Sequence, residues 1–518
     1  MSGGGDAEVV VIGSGPAGVS AAWPLVRARV RVLMLDASDG AVAPSSPTGS
    51  IGAFRRAPGR WRSQFGATLA GLVAGTDLSP KLATPVAQAA LRGYAEATGV
   101  QTEGFHAFGS LSSGGLSRLW GAMTPRFEAA DFDGYPITLD DLAPSYDAVA
   151  ARIGMSRPGL DGPAMTGAVA RVFGRLAGDA ETRIEPALNA VTMSDRDGRR
   201  GCIGCGLCLW GCERKSIFSS ADEVPMLLRH SNFSYRPGAV VRALARAGLG
   251  WRVESDAGMV AAPIVVLAAG TIATTALAAR LCGTLGAPIR LLTNPVAACA
   301  FVVPGLIGAG LPEQSFGLAQ LRHETPIGDD GPGAGGGPRT GGGSVGGAIY
   351  GADTLPLNEL ARRIPASRPT ALRLSRALAP ALLVATLYLP GRFSQNRITV
   401  TDDAVAVAGE ITDAARTALR DGRDRLARTL RRAGAYVVPG SFTVSGPGAD
   451  AHYAGTIPMG GAGPLACSRD GEMIGQPGLF VADGAALSAL PSKHCTLTIM
   501  ANADRIGQAL ATSRPSAR

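Results

Sequence analysis

The apolar and polar positions of this chain repeat one pattern three times. In "AEVVVIGSGPAGVSAAWPLVRARVRVLMLDAS" (Ala7 to Ser38) an apolar run, Val9 to Ile12, meets a glycine turn and a helical stretch. A second apolar run follows from Val30 to Asp36. This is a β-α-β unit, in which a short continuous apolar run marks a strand buried on both faces. "GMVAAPIVVLAAGTIATTALAARL" (Gly258 to Leu281) repeats strand, glycine and helix, with "IVVLAAG" as a fully buried strand. "QPGLFVADGAALSALPSKHCTLTIMANADRIGQAL" (Gln476 to Leu510) returns to strand, glycine turn, loop and helix.

Between these pieces the pattern changes. "YPITLDDLAPSYDAVAARIG" (Tyr135 to Gly154) predicts a turn entering a helix, capped by Thr138 or Asp140. "FSYRPGAVVRALARAGLGWRVESD" (Phe233 to Asp256) alternates as short hairpin strands. Further on, "ALLVATLYLP" and "NRITVTD" read as a strand pair, and Ala414 to Gly434 as an amphipathic helix. The run "GDDGPGAGGGPRTGGGSVGG" (Gly328 to Gly347) reads as a flexible surface loop. The fold class expected is α/β. A Rossmann-like nucleotide domain is assembled from residues 1–150, 186–290 and 449–518, and a mixed α+β substrate domain with an antiparallel sheet from 151–185 and 291–448.

Composition narrows the function. The 518 residues, 46% hydrophobic and 17% charged, suffice for two or three domains and exclude a disordered chain. The formal charge is +8, but Lys and Arg are scattered. The densest run, "RDGRDRLARTLRR" (Arg420 to Arg432), spaces its charges as a solvated helix face, so no nucleic-acid partner is expected. Prolines and glycines interrupt the apolar stretch Pro295 to Pro312, and Ala377 to Leu389 is too short for roughly 30 Å of hydrocarbon. With no secretory pattern ahead of Val9, a soluble, cytoplasmic protein without a membrane partner is expected. Its cysteines should then be reduced thiols or metal ligands.

Gly13, Gly15 and Gly18 form GxGxxG between a strand and a helix. The first permits a tight turn, the second admits a pyrophosphate to the backbone, and the third lets helix and strand pack closely. Asp36 ends the second strand, where a carboxylate accepts hydrogen bonds from ribose hydroxyls. The spacing points to a dinucleotide and leaves FAD and NAD open.

Three further blocks carry a resemblance: "GGLSRLWGA" followed by "YPITLDDLAPSY", then "VVLAAGTIATTALA", then "HYAGTIPMG" with "GLFVADGAALSALPSKHCTLTIMANADRI". With them the sequence resembles the glucose–methanol–choline (GMC) family of FAD-dependent oxidoreductases, including bacterial members with a cysteine-rich loop. The resemblance implies FAD as cofactor. It places Gly114, Gly115, Ser117, Trp120 and Gly121 in the flavin loop, and Ala269 and Gly270 in the turn over the adenosine end. Asp483 and Gly484 should contact the ribityl–pyrophosphate region.

The resemblance also implies a catalytic pair. His452 of "HYAGT" matches the histidine facing the flavin N5 region, and His494 of "PSKHCTLTI" stands where many members carry Asn and others a second His. Oxidising an alcohol means removing the O–H proton while hydride leaves carbon, and an imidazole is suited to take that proton. A second polar group then fixes the hydroxyl.

"GCIGCGLCLWGCERKS" (Gly201 to Ser216) holds Cys202, Cys205, Cys208 and Cys212 as C-x2-C-x2-C-x3-C. This spacing suits an iron–sulfur cluster, which some sugar dehydrogenases of the family carry at this point. Zinc is cramped by so short a spacing, and unmetallated thiols stay open as well. A cluster would pass electrons singly to a redox partner or acceptor, favouring a dehydrogenase over an oxygen-using oxidase. The leading expectation is an FAD-dependent enzyme oxidising a CH–OH group of a polar substrate: a sugar, a polyol or a sugar-containing intermediate. The Gly-rich middle region lacks the apolar pattern of a sterol pocket. Two rivals remain: a redox-neutral flavin-dependent epimerase or isomerase, and an electron-transfer flavoprotein with structural histidines.

Overall fold

The apolar runs Val9–Ile12, Val32–Leu35 and Ile264–Leu267 lie side by side in one parallel sheet, which Leu479–Val481 and Phe233–Arg236 complete at its two edges. The computed structural model describes residues 7–40, 44–60, 78–176, 182–327 and 343–513. Alternate side chains of these strands feed two cores. Val10, Ile12, Leu33, Leu35, Val265 and Leu267 enter one, and Val9, Val11, Val32, Met34 and Val266 the other. Burial on both faces is why the strands read as unbroken apolar runs. The helices Pro16–Arg27 and Thr496–Thr512 pack together over the second face.

A second, antiparallel sheet runs in the order Tyr436–Val437, Val296–Val302, Leu382–Tyr388, Ser344–Gly351, Leu321–Pro326, Arg183–Pro186. One face, with Ala297, Cys299, Phe301, Leu383, Ala385 and Leu387, is sealed by the helix Asp413–Arg432 through Leu419, Leu426 and Leu430. The opposite face looks toward the site.

Several expectations are refined. "ALLVATLYLP" and "NRITVTD" are strands of different sheets. Leu382–Tyr388 pairs with Val296–Val302 and Ser344–Gly351, while Asn396–Val400 pairs with Pro288–Leu291 and Val405–Ala408. Pro390 and the turn Gly391–Phe393 redirect the chain between them. Val100–Glu103 joins the second of these sheets beside Val405–Ala408, so the anticipated N-terminal segment lends a strand to the middle one. The glycine-rich run falls largely outside the described residues, and Ser344 to Gly347 is strand. Thr138 caps its helix, in a capping box with Asp141. Among the described residues, no helix is long and apolar enough to cross a membrane.

Candidate active site

A cavity of about 1760 Å³ runs from Gly15 and Asp36 at the parallel sheet to Tyr388, His452 and His494 at the antiparallel one. A single small-molecule site takes roughly 300–1,000 Å³, so there is room for a cofactor and a substrate together.

The glycines at the nucleotide end are set by contact. A Cβ on Gly18 would stand 1.9 Å from the Gly13 carbonyl oxygen, and one on Gly13, where φ is +104°, 2.4 Å from the Ala268 oxygen. At Gly15 a Cβ meets nothing within 4 Å, so the backbone there is open at the helix N-terminus. A Cβ on Gly115 would point within 3.6 Å of the Gly15 Cα. Two glycine turns therefore approach each other, joined by Gly114 N–H donating to Ser14 Oγ at 2.9 Å. Asp36 Oδ1 accepts from Ser38 N and Tyr235 Oη, each at 3.0 Å. Among the described residues its Oδ2 accepts only from Ser14 N, at 2.8 Å, and keeps a lone pair for a ribose hydroxyl. Open backbone, helix terminus and oriented carboxylate fit the adenosine diphosphate half of FAD.

Other residues of the anticipated set brace the cradle. Ser117 Oγ donates to the Gly114 oxygen at 2.6 Å, and Trp120 Nε1 to the Phe218 oxygen at 2.8 Å. Asp483 accepts from Gly270 N at 2.9 Å, Thr274 Oγ1 at 2.5 Å and Ala485 N at 3.0 Å, tying together the turns that follow two sheet strands. Burial lifts its carboxyl to about 6. Gly121, Ala269 and Gly484 line the same cavity.

His452 and His494 come together, ring centroids 4.9 Å apart, with the Tyr388 ring 5.5 Å from the first and 5.1 Å from the second. The local frame of His452 was not legible in its neighbourhood. Its Nδ1 lies 2.9 Å from Asn294 Oδ1, 158 residues away. Asn294 donates both amide hydrogens, to Leu389 O at 2.7 Å and Pro491 O at 2.9 Å, so its oxygen must face the imidazole. Nδ1 then carries the proton and Nε2 the lone pair. Asp450 Oδ2 stands 3.7 Å behind Nδ1, held by Asn294 N at 2.7 Å, and burial lifts this carboxyl to about 7. Burial lowers His452 to about 4; for His494, burial and the neighbouring His452 push in the same direction. Both rings are neutral bases at neutral pH. Among the described residues His494 Nδ1 is buried without a partner, as a group awaiting a polar ligand would be.

The cysteine loop departs from the metal-site expectation. Cys202, Cys205, Cys208 and Cys212 are free thiols, and among the described residues no three His, Cys, Asp or Glu side chains converge on a point that would hold a metal. Among the described residues this arrangement gives no support to an iron–sulfur cluster or to zinc. The loop folds with glycines at positive φ, Gly204, Gly206 and Gly211, and buries Leu207 and Trp210 against Ile51 and Phe54, with Cys205 packed beside them. Burial pushes Cys202 up to about 11 and raises Cys208 further.

Residues 393–503, which contain His452, Asp483 and His494, match the family model described as GMC oxidoreductase. No curated protein matches the sequence. The fold is similar to the crystal structure of pyridoxine 4-oxidase from Mesorbium loti, with a TM-score of 0.61 and 16% identity over 98% of this chain and 100% of that one.

Proposed function

We propose that the chain is a GMC oxidoreductase, a reading that the match of residues 393–503 supports, and that it oxidises a CH–OH group, with His452 as the base that takes the hydroxyl proton. FAD, when bound, supplies the acceptor for the hydride leaving carbon. Gly13, Gly15, Gly18, Asp36, Gly114 and Gly115 would hold it, through open backbone and the Asp36 carboxylate.

The observation that carries this reading is the Asn294–His452 hydrogen bond, which leaves the Nε2 lone pair as the proton acceptor. When Nε2 takes the proton, the new imidazolium charge is met by Asp450, 3.7 Å from Nδ1, which is thereby drawn toward ionisation. His494 supplies the second polar contact for the alcohol, and Tyr388 flanks both rings. A site built only to pass electrons has no need of an oriented proton acceptor.

The test is anaerobic mixing of FAD-loaded protein with alcohols. Bleaching of the flavin bands by an alcohol, lost in His452→Ala while FAD stays bound, supports the assignment. Equal bleaching by parent and variant would remove His452 from the chemistry.

A further inference from the structure

Beyond the histidine pair the cavity continues along two paired strands. Val296–Val302 and Leu382–Tyr388 are in antiparallel register, with Val296 opposite Tyr388, Ala298 opposite Thr386, Ala300 opposite Val384 and Val302 opposite Leu382. These residues share the face that lines the cavity. Ala298, Ala300, Val302, Val384 and Thr386 are only half-buried, while Cys299, Phe301, Leu383 and Ala385 between them are wholly buried. The face is thus apolar yet only partly covered by the described residues. It begins at Tyr388, against both histidines, and extends six residues to Leu382, about 20 Å at strand spacing. Leu360, Ile364 and Leu378, from the segment spanning the helices Leu357–Ala361 and Arg368–Leu378, line the same cavity.

Three of the polar side chains nearby are already used. Thr386 Oγ1 accepts from Ala348 N at 3.1 Å, Ser441 Oγ donates to Val438 O at 2.7 Å and accepts from Ala300 N at 3.0 Å, and Ser375 Oγ donates to Ala371 O at 2.7 Å. A sugar laid along this wall would leave several hydroxyls without partners, a heavy cost in a desolvated site. An apolar body would instead cover the exposed valine, alanine and leucine surface.

We propose that the substrate is an alcohol whose hydroxyl, at the His452–His494 pair, is borne on an extended apolar body lying between the strands Val296–Val302 and Leu382–Tyr388 and the helices opposite. This rests on the alcohol-oxidation reading and departs from the polar substrate expected from the glycine-rich middle region.

The experiment uses FAD-loaded protein and two readouts. Octanamide, which has no alcohol to oxidise, reports occupancy of the slot as a rise in melting temperature. Anaerobic flavin bleaching compares 1-dodecanol, cholesterol and D-glucose. The expected result is stabilisation by octanamide, and a KM for dodecanol or cholesterol at least about tenfold below that for glucose. The two apolar alcohols separate a linear body from a fused-ring one. Val384→Phe and Ala300→Phe both project into the cavity, so one folding failure leaves the other informative. Each should weaken octanamide binding and raise the KM ratio of dodecanol to 1-butanol about tenfold. Glucose oxidised at a KM equal to or below both apolar alcohols, with no octanamide effect, overturns the slot and leaves alcohol oxidation standing. Octanamide binding that both variants weaken, without bleaching by any alcohol, keeps the slot and overturns the oxidation reading. Failure of both readouts overturns both.

Discussion

Asn294 accepts the Nδ1 proton of His452 at 2.9 Å while its own two amide hydrogens are spent on Leu389 O and Pro491 O. The tautomer of His452 is therefore fixed from behind. Asn294→Ala should lower kcat about tenfold to a hundredfold, part of the roughly 10²–10⁴-fold that a positioned base contributes. Asn294→Asp keeps an acceptor for Nδ1–H but adds negative charge, so it should move the acid limb of kcat/KM upward. A pH profile of the two variants checks both outcomes; an unmoved limb in the aspartate variant would speak against the contact.

The acid limb of the parent enzyme follows from burial. As the proposed base His452 must be neutral to accept a proton, and burial lowers its value from 6.5 to about 4. A lowered value keeps the base form populated to lower pH. kcat/KM should therefore hold as pH falls through 6.5 and drop only toward about 4. A limb centred at 6.5 or above would mean that the ring is solvated in the working enzyme.

Gly15 separates cofactor binding from folding. Its φ of −61° suits alanine, and a Cβ there meets no protein atom within 4 Å. Gly15→Ala should leave the melting temperature of the apoprotein unchanged yet weaken FAD binding about tenfold or more, read by equilibrium titration of flavin fluorescence. Gly18→Ala, whose Cβ would stand 1.9 Å from the Gly13 oxygen, should damage both.

Lys493 precedes His494 and is nearly buried, its Nζ 2.6 Å from Asp131 and 3.4 Å from Glu128. It anchors the loop that presents His494. Lys493→Met takes the cation from Asp131, while Glu128 keeps Arg183 at 2.6 Å, and should destabilise the fold by about 3 kcal/mol, at the low end for a broken buried pair. Urea denaturation measures this, and Lys493→Arg should recover part of the loss.

The parallel sheet was legible because strands buried on both faces must be apolar throughout, and Val9–Ile12 and Ile264–Leu267 are. The histidine pair was legible through the family blocks around it, and the two rings do meet. Asn294 and Tyr388 were not, because Asn294 reaches His452 from the loop before Val296–Val302 and Tyr388 from the end of Leu382–Tyr388, and no local pattern marks a residue for a partner so distant. The same holds for the strand pairing of Leu382–Tyr388: alternation reveals a strand but not its neighbour. The four-cysteine spacing announced a ligand set, yet spacing alone does not make side chains converge.

The order of strands in the parallel sheet also bears on how the protein is made. Val9–Ile12 and Val32–Leu35 emerge from the ribosome first, but Ile264–Leu267 must arrive before Val9–Ile12 is flanked on both sides, and Leu479–Val481 before that newcomer is flanked in turn. His452 and His494 are translated later still than the first of these. Long-range parallel pairing is slow to form, so the nascent chain carries unpaired apolar strand edges through most of its synthesis. Cofactor loading is thereby a late event, and chaperone supply during expression should govern the yield of active protein.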